Sequence, residues 1–397
     1  MTTEWSLKRS WQAVETGHAD TLDAVYGAAR SACPVVKVSD GEGPGFWAVL
    51  GHDLVTEVVA DTATFSNVIP LYPTRRPPLE SDPPEHTAYR RILAAHFSPG
   101  RTARMEPAVR DYTLEMLRPL LAADLADFAR DLADPLPTRV LCYLLGIPDA
   151  DWPLINDMAA RLHRVGAERR HNAGERAELG AELGTYANRL VTERREAAPR
   201  DDVIGALLAA RVDGAPLTDA TITGMVMMLI SAGHNTTTSL LGNAVLHLAR
   251  DPREQQRLRE APGAIPAAVE EWLRLEAPQQ AMPRVATRDV ELAGCPIRAG
   301  DHVWPVFGSA NLDPSAFDEP ADYRPDRRPN RHLAFGKGLH RCIGAPLAQL
   351  QGRVVIEELL AATRAVALAG PVTRFAWPRM GVRTLPVRLE PRPSRGS

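Results

Sequence analysis

From Thr218 to Asp251-Pro252 the chain contains nothing that would stop a helix. Thr218 has the side chain of an N-cap, Asp219 suits a first turn, and the residue before Pro252 marks an end. At 1.5 Å per residue, the ~33 residues between make a rod of roughly 50 Å. Its middle reads Met225-Val-Met-Met-Leu-Ile230, apolar at consecutive positions and so on every face. Such a rod is not a surface helix. It runs through the middle of a domain, with the rest of the chain packed round it.

The rest of the chain can supply that packing. Of the 397 residues 45% are hydrophobic and 24% charged, which excludes a disordered or fibrous chain. With 46 basic and 49 acidic residues, the net charge of -3 calls for neither nucleic acid nor an anionic membrane. No apolar run approaches the roughly 20 residues that span a bilayer. The N-terminus lacks the apolar core of a signal peptide, so a cytoplasmic protein is expected.

Around the rod, Phe46–Leu50 reads as a strand and Leu54–Ala60 as a helix. Helical periodicity then holds from His86 to Arg211, broken at Pro99, Pro135, Pro148 and 199–202. After a helix ending near Leu275, residues 283–306 read as strands and 309–332 as an irregular Pro/Asp/Arg-rich stretch. A second strong helix is expected from about Cys342 to Arg364, with strands over 371–390. The fold class is therefore mainly α with a smaller β-rich part. One domain is expected over 1–397, with 390–397 a disordered tail.

Four cysteines, Cys33, Cys142, Cys295 and Cys342, are too scattered for a metal clip, and each by default is a small core residue. Cys342 departs from that default. Its surroundings read His332-Leu-Ala-Phe-Gly-Lys-Gly-Leu-His-Arg-Cys-Ile-Gly-Ala-Pro-Leu-Ala348. Gly336 and Gly338 permit a tight loop, and Gly344 removes a side chain where something flat must pass. A cysteine at the start of a helix gains thiolate character from the orphan amides there. A zinc site using His340 and Cys342 fails for want of further ligands at suitable spacing.

The pattern Phe335-Gly-x-Gly-x-His-x-Cys342-x-Gly344 resembles the haem-binding loop of the cytochrome P450 family. The resemblance implies haem b with an axial thiolate from Cys342, and Phe335, Gly336, His340 and Gly344 around it. Glu271-Trp-Leu-Arg274 is similar to the family's Glu-x-x-Arg, with Arg327 as candidate third partner in a buried charge network that locks the loop. His86 and Arg90, one turn apart, resemble the pair that binds the haem propionates, and Arg284 and His340 fit two further propionate positions.

On the long helix, Ala232-Gly-His-Asn-Thr-Thr-Thr238 resembles the family's oxygen pocket, with a local kink expected at Gly233. By that likeness Ala232, Gly233, Asn235 and Thr236 carry the catalytic work, and Thr236 hydrogen-bonds dioxygen. The family's acidic residue is replaced here by Asn235, an amide that cannot take up and release a proton at neutral pH. Three readings stay open. Waters on Thr236 alone deliver protons; a substrate group or another side chain supplies the acid; or the reaction is not plain hydroxylation but coupling or peroxide-driven chemistry. Under the first, Asn235→Asp should speed oxygen activation. His234 reads as helix packing.

By the same resemblance the substrate pocket draws on the loop Val68–Leu79 with Arg75 and Arg76, on Ile230, Gln279, Gln280 and Met282, and on the turn at Arg379-Met380. A carboxylate held by Arg75 or Arg76 is one reading. The plainer one is solvent-facing arginines in a chain with only three lysines. The implied function is monooxygenation of a small organic substrate with O2 (hydroxylation, dealkylation or coupling). The chain has no iron–sulfur ligand set and no flavin or nicotinamide loop, so electrons should come from separate proteins, which the resemblance implies are a small ferredoxin and its reductase. Lys337, Arg341 and Arg91 would face such an acidic partner. The alternative is a haem-binding or peroxide-dependent protein without ordinary O2 activation.

Overall fold

The computed structural model describes residues 22–38, 45–69, 75–167, 173–375 and 377–392. In chain order it opens with α1 (Leu22–Ala32), β1 (Val35–Val38), β2 (Phe46–Val49), α2 (His52–Ala60), β3 (Phe65–Ser66) and α3 (Glu85–Ala94). Next come α4 (Pro99–Ala103), α5 (Glu106–Ala122), β4 (Ala126–Asp127), a π-helical turn at Ala129–Ala133, and α6 (Pro135–Leu145). The prolines read as breaks are starts: Pro99 and Pro135 open α4 and α6, where a missing amide hydrogen costs nothing. Then follow α7 (Trp152–Ala167), α8 (Ala173–Glu196), α9 (Val203–Ala209) and the hairpin β5 (Arg211–Val212) and β6 (Ala215–Pro216).

The rod is α10, Asp219–Arg250, 32 residues long. The Thr218 side chain accepts the Thr221 amide at 3.2 Å, and Asp251 ends it as it caps the next helix. Residues Ile222 to Ser231 are buried without a break, as an all-round apolar sequence requires. The rod packs against α6, α7, α8 and, further on, the carboxyl-terminal helices, so it is the axis of the main core.

After it come α11 (Pro252–Glu260), α12 (Ile265–Glu276), β7 (Arg284–Ala286), β8 (Val290–Leu292), β9 (Cys295–Ile297), β10 (His302–Pro305) and α13 (Phe307–Asn311). The chain then runs without regular structure to a single turn at Gly338–His340. It ends in α14 (Ala345–Ala362), β11 (Thr363–Leu368), β12 (Thr373–Arg374), β13 (Val382–Thr384) and β14 (Pro386–Pro391). The larger sheet has the order β1-β2-β10-β7-β3; only β10 and β2 run parallel. A smaller sheet pairs β11, β14 and β4. The mainly α reading with a β-rich minor part therefore holds.

Two boundaries differ. The helix expected from Cys342 begins at Ala345, because Gly344 takes the N-cap position and leaves the cysteine in the preceding loop. Residues 390–392, expected in the tail, are held in the smaller sheet. Glu390 and Pro391 pair with Ala365 and Thr363, and Arg392 N donates to Ala362 O; residues 393–397 lie outside the described residues.

Candidate active site

The cysteine loop is closed by its own backbone. Cys342 N donates to Phe335 O at 2.8 Å, while Gly336 and Gly338 sit at φ +65° and +70°. Those angles strain any residue with a Cβ, and one at Gly338 would also press on the Val59 carbonyl at 3.2 Å. Burial raises the Cys342 thiol above its ordinary value, against the lowering effect of the Gly344 and Ala345 amides and of Arg90 and Arg341. A desolvated sulfur facing amides and guanidinium groups is a site where a metal cation readily replaces the proton. The residue nevertheless has accessible surface, so the site is open to an incoming group.

Beside it lies a group of basic side chains that no carboxylate contacts among the described residues. The His86 and His340 rings are 4.1 Å apart. Both ring nitrogens of His86, Nε2 of His340 and Nε of Arg284 are buried without a hydrogen-bond partner among the described residues. Burial first, then His86, Arg284 and Arg90, push His340 down to about 3, so the other three groups all act on it. Burial lowers Arg284 to about 10, opposed only by the charge of Asp82. Asp82 itself is engaged elsewhere, accepting from Ser66 Oγ at 2.5 Å and Asn67 N at 3.0 Å. Arg90 reaches the Arg341 carbonyl. Buried cationic groups left unpaired are costly unless an anion binds them. A flat group carrying two carboxylates and a metal that takes a thiolate satisfies this set, as haem does.

The second charged cluster is saturated. Arg274 donates to both Glu271 oxygens, at 2.9 and 2.7 Å, and both side chains have zero exposure. Arg327 Nε (3.3 Å), Asn330 Nδ2 (3.0 Å) and the Arg324 amide (3.0 Å) complete the carboxylate. Arg274 also donates to the carbonyls of Asn311, Pro320 and Asp322, which ties α12 to the irregular segment. Next to it, Glu270 takes His332 Nε2 at 3.0 Å and Gln349 Nε2 at 2.7 Å, linking the start of the cysteine loop to α14.

On the long helix Ala232 is exposed between the buried Ser231 and the half-buried Gly233, so α10 leaves its surface open there. Thr236 Oγ1 donates to Ala232 O at 3.3 Å. The helix is continuous here, and the reason for Gly233 is packing: a Cβ would lie 3.1 Å from the Leu141 side chain on α6. The adjacent Asn235 Oδ1 accepts from Arg379 Nη1. An aspartate there would face a guanidinium, which alters the expectation that Asn235→Asp frees a proton donor. His234 packs behind the helix, bonded to Thr138 Oγ1 at 2.8 Å and Asp134 Oδ1 at 3.2 Å.

Residues 169–262 and 264–367 match the family model described as cytochrome P450. The erythromycin C-12 hydroxylase of Saccharopolyspora erythraea is 38% identical over 327 residues, covering 80% of this chain and 82% of that protein. The chain belongs to the cytochrome P450 family. Its structure is similar to that of a mutant of P450 EryK in complex with erythromycin B (TM-score 0.87, 34% identity, 96% of this chain and 100% of that one). It is similar too to CxnD, a cytochrome P450 for C–S bond formation in chuangxinmycin biosynthesis (TM-score 0.88, 29% identity, 99% of each chain). Membership makes this P450 a haem-thiolate monooxygenase of small organic substrates, using O2. No described helix is long and apolar enough to cross a membrane.

Several candidate pocket residues of this P450 are elsewhere. Ile230 and Gln280 have no exposed surface and Met380 almost none, so none can touch a substrate. Ile230 belongs to the main core. Gln280 is spent on Tyr26 OH and on the Glu276 and Ala277 carbonyls, and Met380 packs with Tyr26, Ala48 and Trp304. Gln279 and Met282 remain half-buried, Gln279 donating to Ala281 O. Of the loop 68–79, residues 70–74 lie outside the described residues. Arg75 is exposed and paired with Glu85, whereas Arg76, read as solvent-facing, is buried and paired with Glu80 at 2.9 Å. Of the three cysteines assigned to the core only Cys142 is fully buried; Cys33 and Cys295 are half-buried and both donate to Val35 O. Sequence reasoning missed Glu270 and its partners, and named Arg379 only as part of a turn.

Proposed function

We propose that this P450 oxidises a small organic substrate, by hydroxylation, dealkylation or coupling, in the cytoplasm and with electrons from a separate ferredoxin and reductase. The whole chain serves as one haem-enclosing unit, and the haem is of the b type. The observation that carries this is the unpaired basic cluster beside the Cys342 thiol. When bound, the haem supplies oxygen activation and electron storage. Cys342 is its ligand, and the Gly344 and Ala345 amides favour the thiolate. His86, Arg90, Arg284 and His340 hold the two propionates, while Phe335, Gly336 and Gly344 shape the loop around the sulfur. Glu271, Arg274 and Arg327 keep that loop in register with α12 and do no chemistry.

On the opposite face the small Ala232 keeps the helix surface low while Gly233 lets the helix close on Leu141, and the Thr236 hydroxyl can turn from the Ala232 carbonyl to donate a hydrogen bond into the cleft. Asn235 holds no titratable proton, so protons reach Thr236 from water. Lys337, Arg341 and Arg91 are all exposed near the cysteine loop, a basic surface suited to an acidic electron donor. The test is the reduced carbon monoxide spectrum, where a strongly red-shifted Soret band is expected, followed by turnover with ferredoxin, reductase and a substrate library. Absence of the shift overturns thiolate ligation, and absence of any product overturns the monooxygenase reading. Asn235 also favours a second reading, in which hydrogen peroxide replaces O2 and reductant; faster turnover with peroxide than with ferredoxin would select it.

A further inference from the structure

Arg75 and Arg76, the arginines the sequence offered for a substrate anion, are already paired with Glu85 and Glu80. Arg379 is in a different position. Among the described residues no carboxylate lies within ion-pair distance of it. Its Nη1 donates to the neutral Asn235 amide oxygen, and its guanidinium carbon is 3.2 Å from the centre of the Phe375 ring. Burial lowers it to about 9, with only the more distant charge of Asp134 opposing. It is only half-buried by surface, so, as at Cys342, part of the side chain stays open to an incoming group.

The backbone holds it firmly. Arg379 bridges to Gln279, Met380 N donates to Pro278 O at 2.9 Å, and Asn243 Nδ2 of α10 donates to Met380 O at 3.2 Å. The guanidinium is therefore held against Asn235 of the long helix, one residue before Thr236, while its backbone is tied to the segment that runs on to Arg284. A single guanidinium on an aromatic face presents a planar fork of donors, which matches a carboxylate better than a tetrahedral anion needing several cations.

We propose that Arg379 anchors a carboxylate of the substrate, and that Asn235 holds the guanidinium in place until that carboxylate takes it over. This rests on the substrate-oxidising function proposed above. It also gives the exchange at 235 a physical reason. An acidic residue there would neutralise Arg379 and close it to an outside anion; an amide holds it without neutralising it.

The test uses the haem-loaded enzyme and a library of aromatic and aliphatic carboxylic acids, each beside its primary amide, with binding read from the Soret spin-state change. Acids should bind about 10- to 100-fold more tightly than their amides, the range for losing a charge-assisted hydrogen bond. Arg379→Gln should abolish the preference and Arg379→Lys retain part of it. Asn235→Asp should weaken acids and leave amides unchanged, because the new carboxylate competes for Arg379. Amides binding as well as acids, no acid binding at all, or a preference that survives Arg379→Gln each overturn the anchor. If Arg379→Gln fails to hold haem, the wild-type ratio and Asn235→Asp decide. Ferredoxin-driven turnover in the same samples separates the two claims. Oxidation without acid preference removes only the anchor, and Arg379-dependent acid binding without oxidation removes only the proposed function.

Discussion

Two buried charge clusters lie on either side of the cysteine loop, and they are opposites. Around Glu271 every charge has its partner inside the chain: two arginines, an asparagine and a backbone amide on one carboxylate. Around His86 and Arg284 there are basic groups that no carboxylate touches among the described residues, the nearby Asp82 being bonded to Ser66 and Asn67, and ring and guanidinium nitrogens are left over. Burial is common to both, so burial does not distinguish structure from function. The distinction is whether the chain itself supplies the counter-charge. A saturated cluster is scaffold, and an unsaturated one of a single sign is a binding site for the opposite sign.

Substitutions can break or sharpen that contrast. Between the clusters, Cys342→Ser should remove the red-shifted carbon monoxide band and all turnover, as measured on reduced protein; any residual band means another ligand. Within the saturated cluster, Glu271→Gln strands two arginines and should cost about 3–5 kcal/mol in urea unfolding, with or without haem. In the unsaturated cluster the effects should separate. Arg284→Met relieves repulsion, so the haem-free chain should be no less stable, while haem transfer to apomyoglobin speeds about tenfold. An equal loss of stability in both variants would erase the contrast.

Acid should separate the clusters as well. Burial and Arg90 hold His86 below its ordinary value, so the unfolded chain takes its proton first and stability falls as pH drops below about 6.5. Paired acids respond later. Burial alone would raise Glu276, but Arg374 and His247 bring it to about 2, so its contribution is intact above about 4.5 and lost between there and 2. Thermal melts of the haem-free protein should show both windows, and His86→Gln should reduce the slope of the upper one without removing it, because His340 is also held below its ordinary value. The smallest effect is expected on the oxygen face. Asn235→Asp alone should change the coupling of product to reductant less than about twofold, because Arg379 pairs the new acid; Arg379→Met added to it should enlarge the change.

Reading the sequence went furthest where the signal was local. The span of α10 follows from Thr218, an apolar run and Asp251-Pro252, and the loop conformation from glycines at 336 and 338, because backbone angles and helix ends depend on neighbouring residues. Glu271 and Arg274 were legible as an i,i+3 pair, though Glu115 and Glu254 carry the same spacing. Only the fold shows that Arg274 alone ends with zero exposure, since Glu115 turns instead to Arg139 and Arg257 stays near the surface. The pocket residues fared worst, for a physical reason: whether Ile230 or Met380 faces a cleft or a core is set by what packs against it from far along the chain.

The sequence by itself determined the family, the ligand and the central rod, each written in residues close together. The tertiary structure decided the charge balance. His86, Arg284 and His340 are distant in sequence, and nothing local says that no acid will meet them. Arg75, Arg76 and Arg379 look alike as letters, yet two are neutralised by nearby glutamates and the third is placed against an amide. Charge pairing is a property of space, and it is what separates the arginines that hold this protein together from those left free to bind.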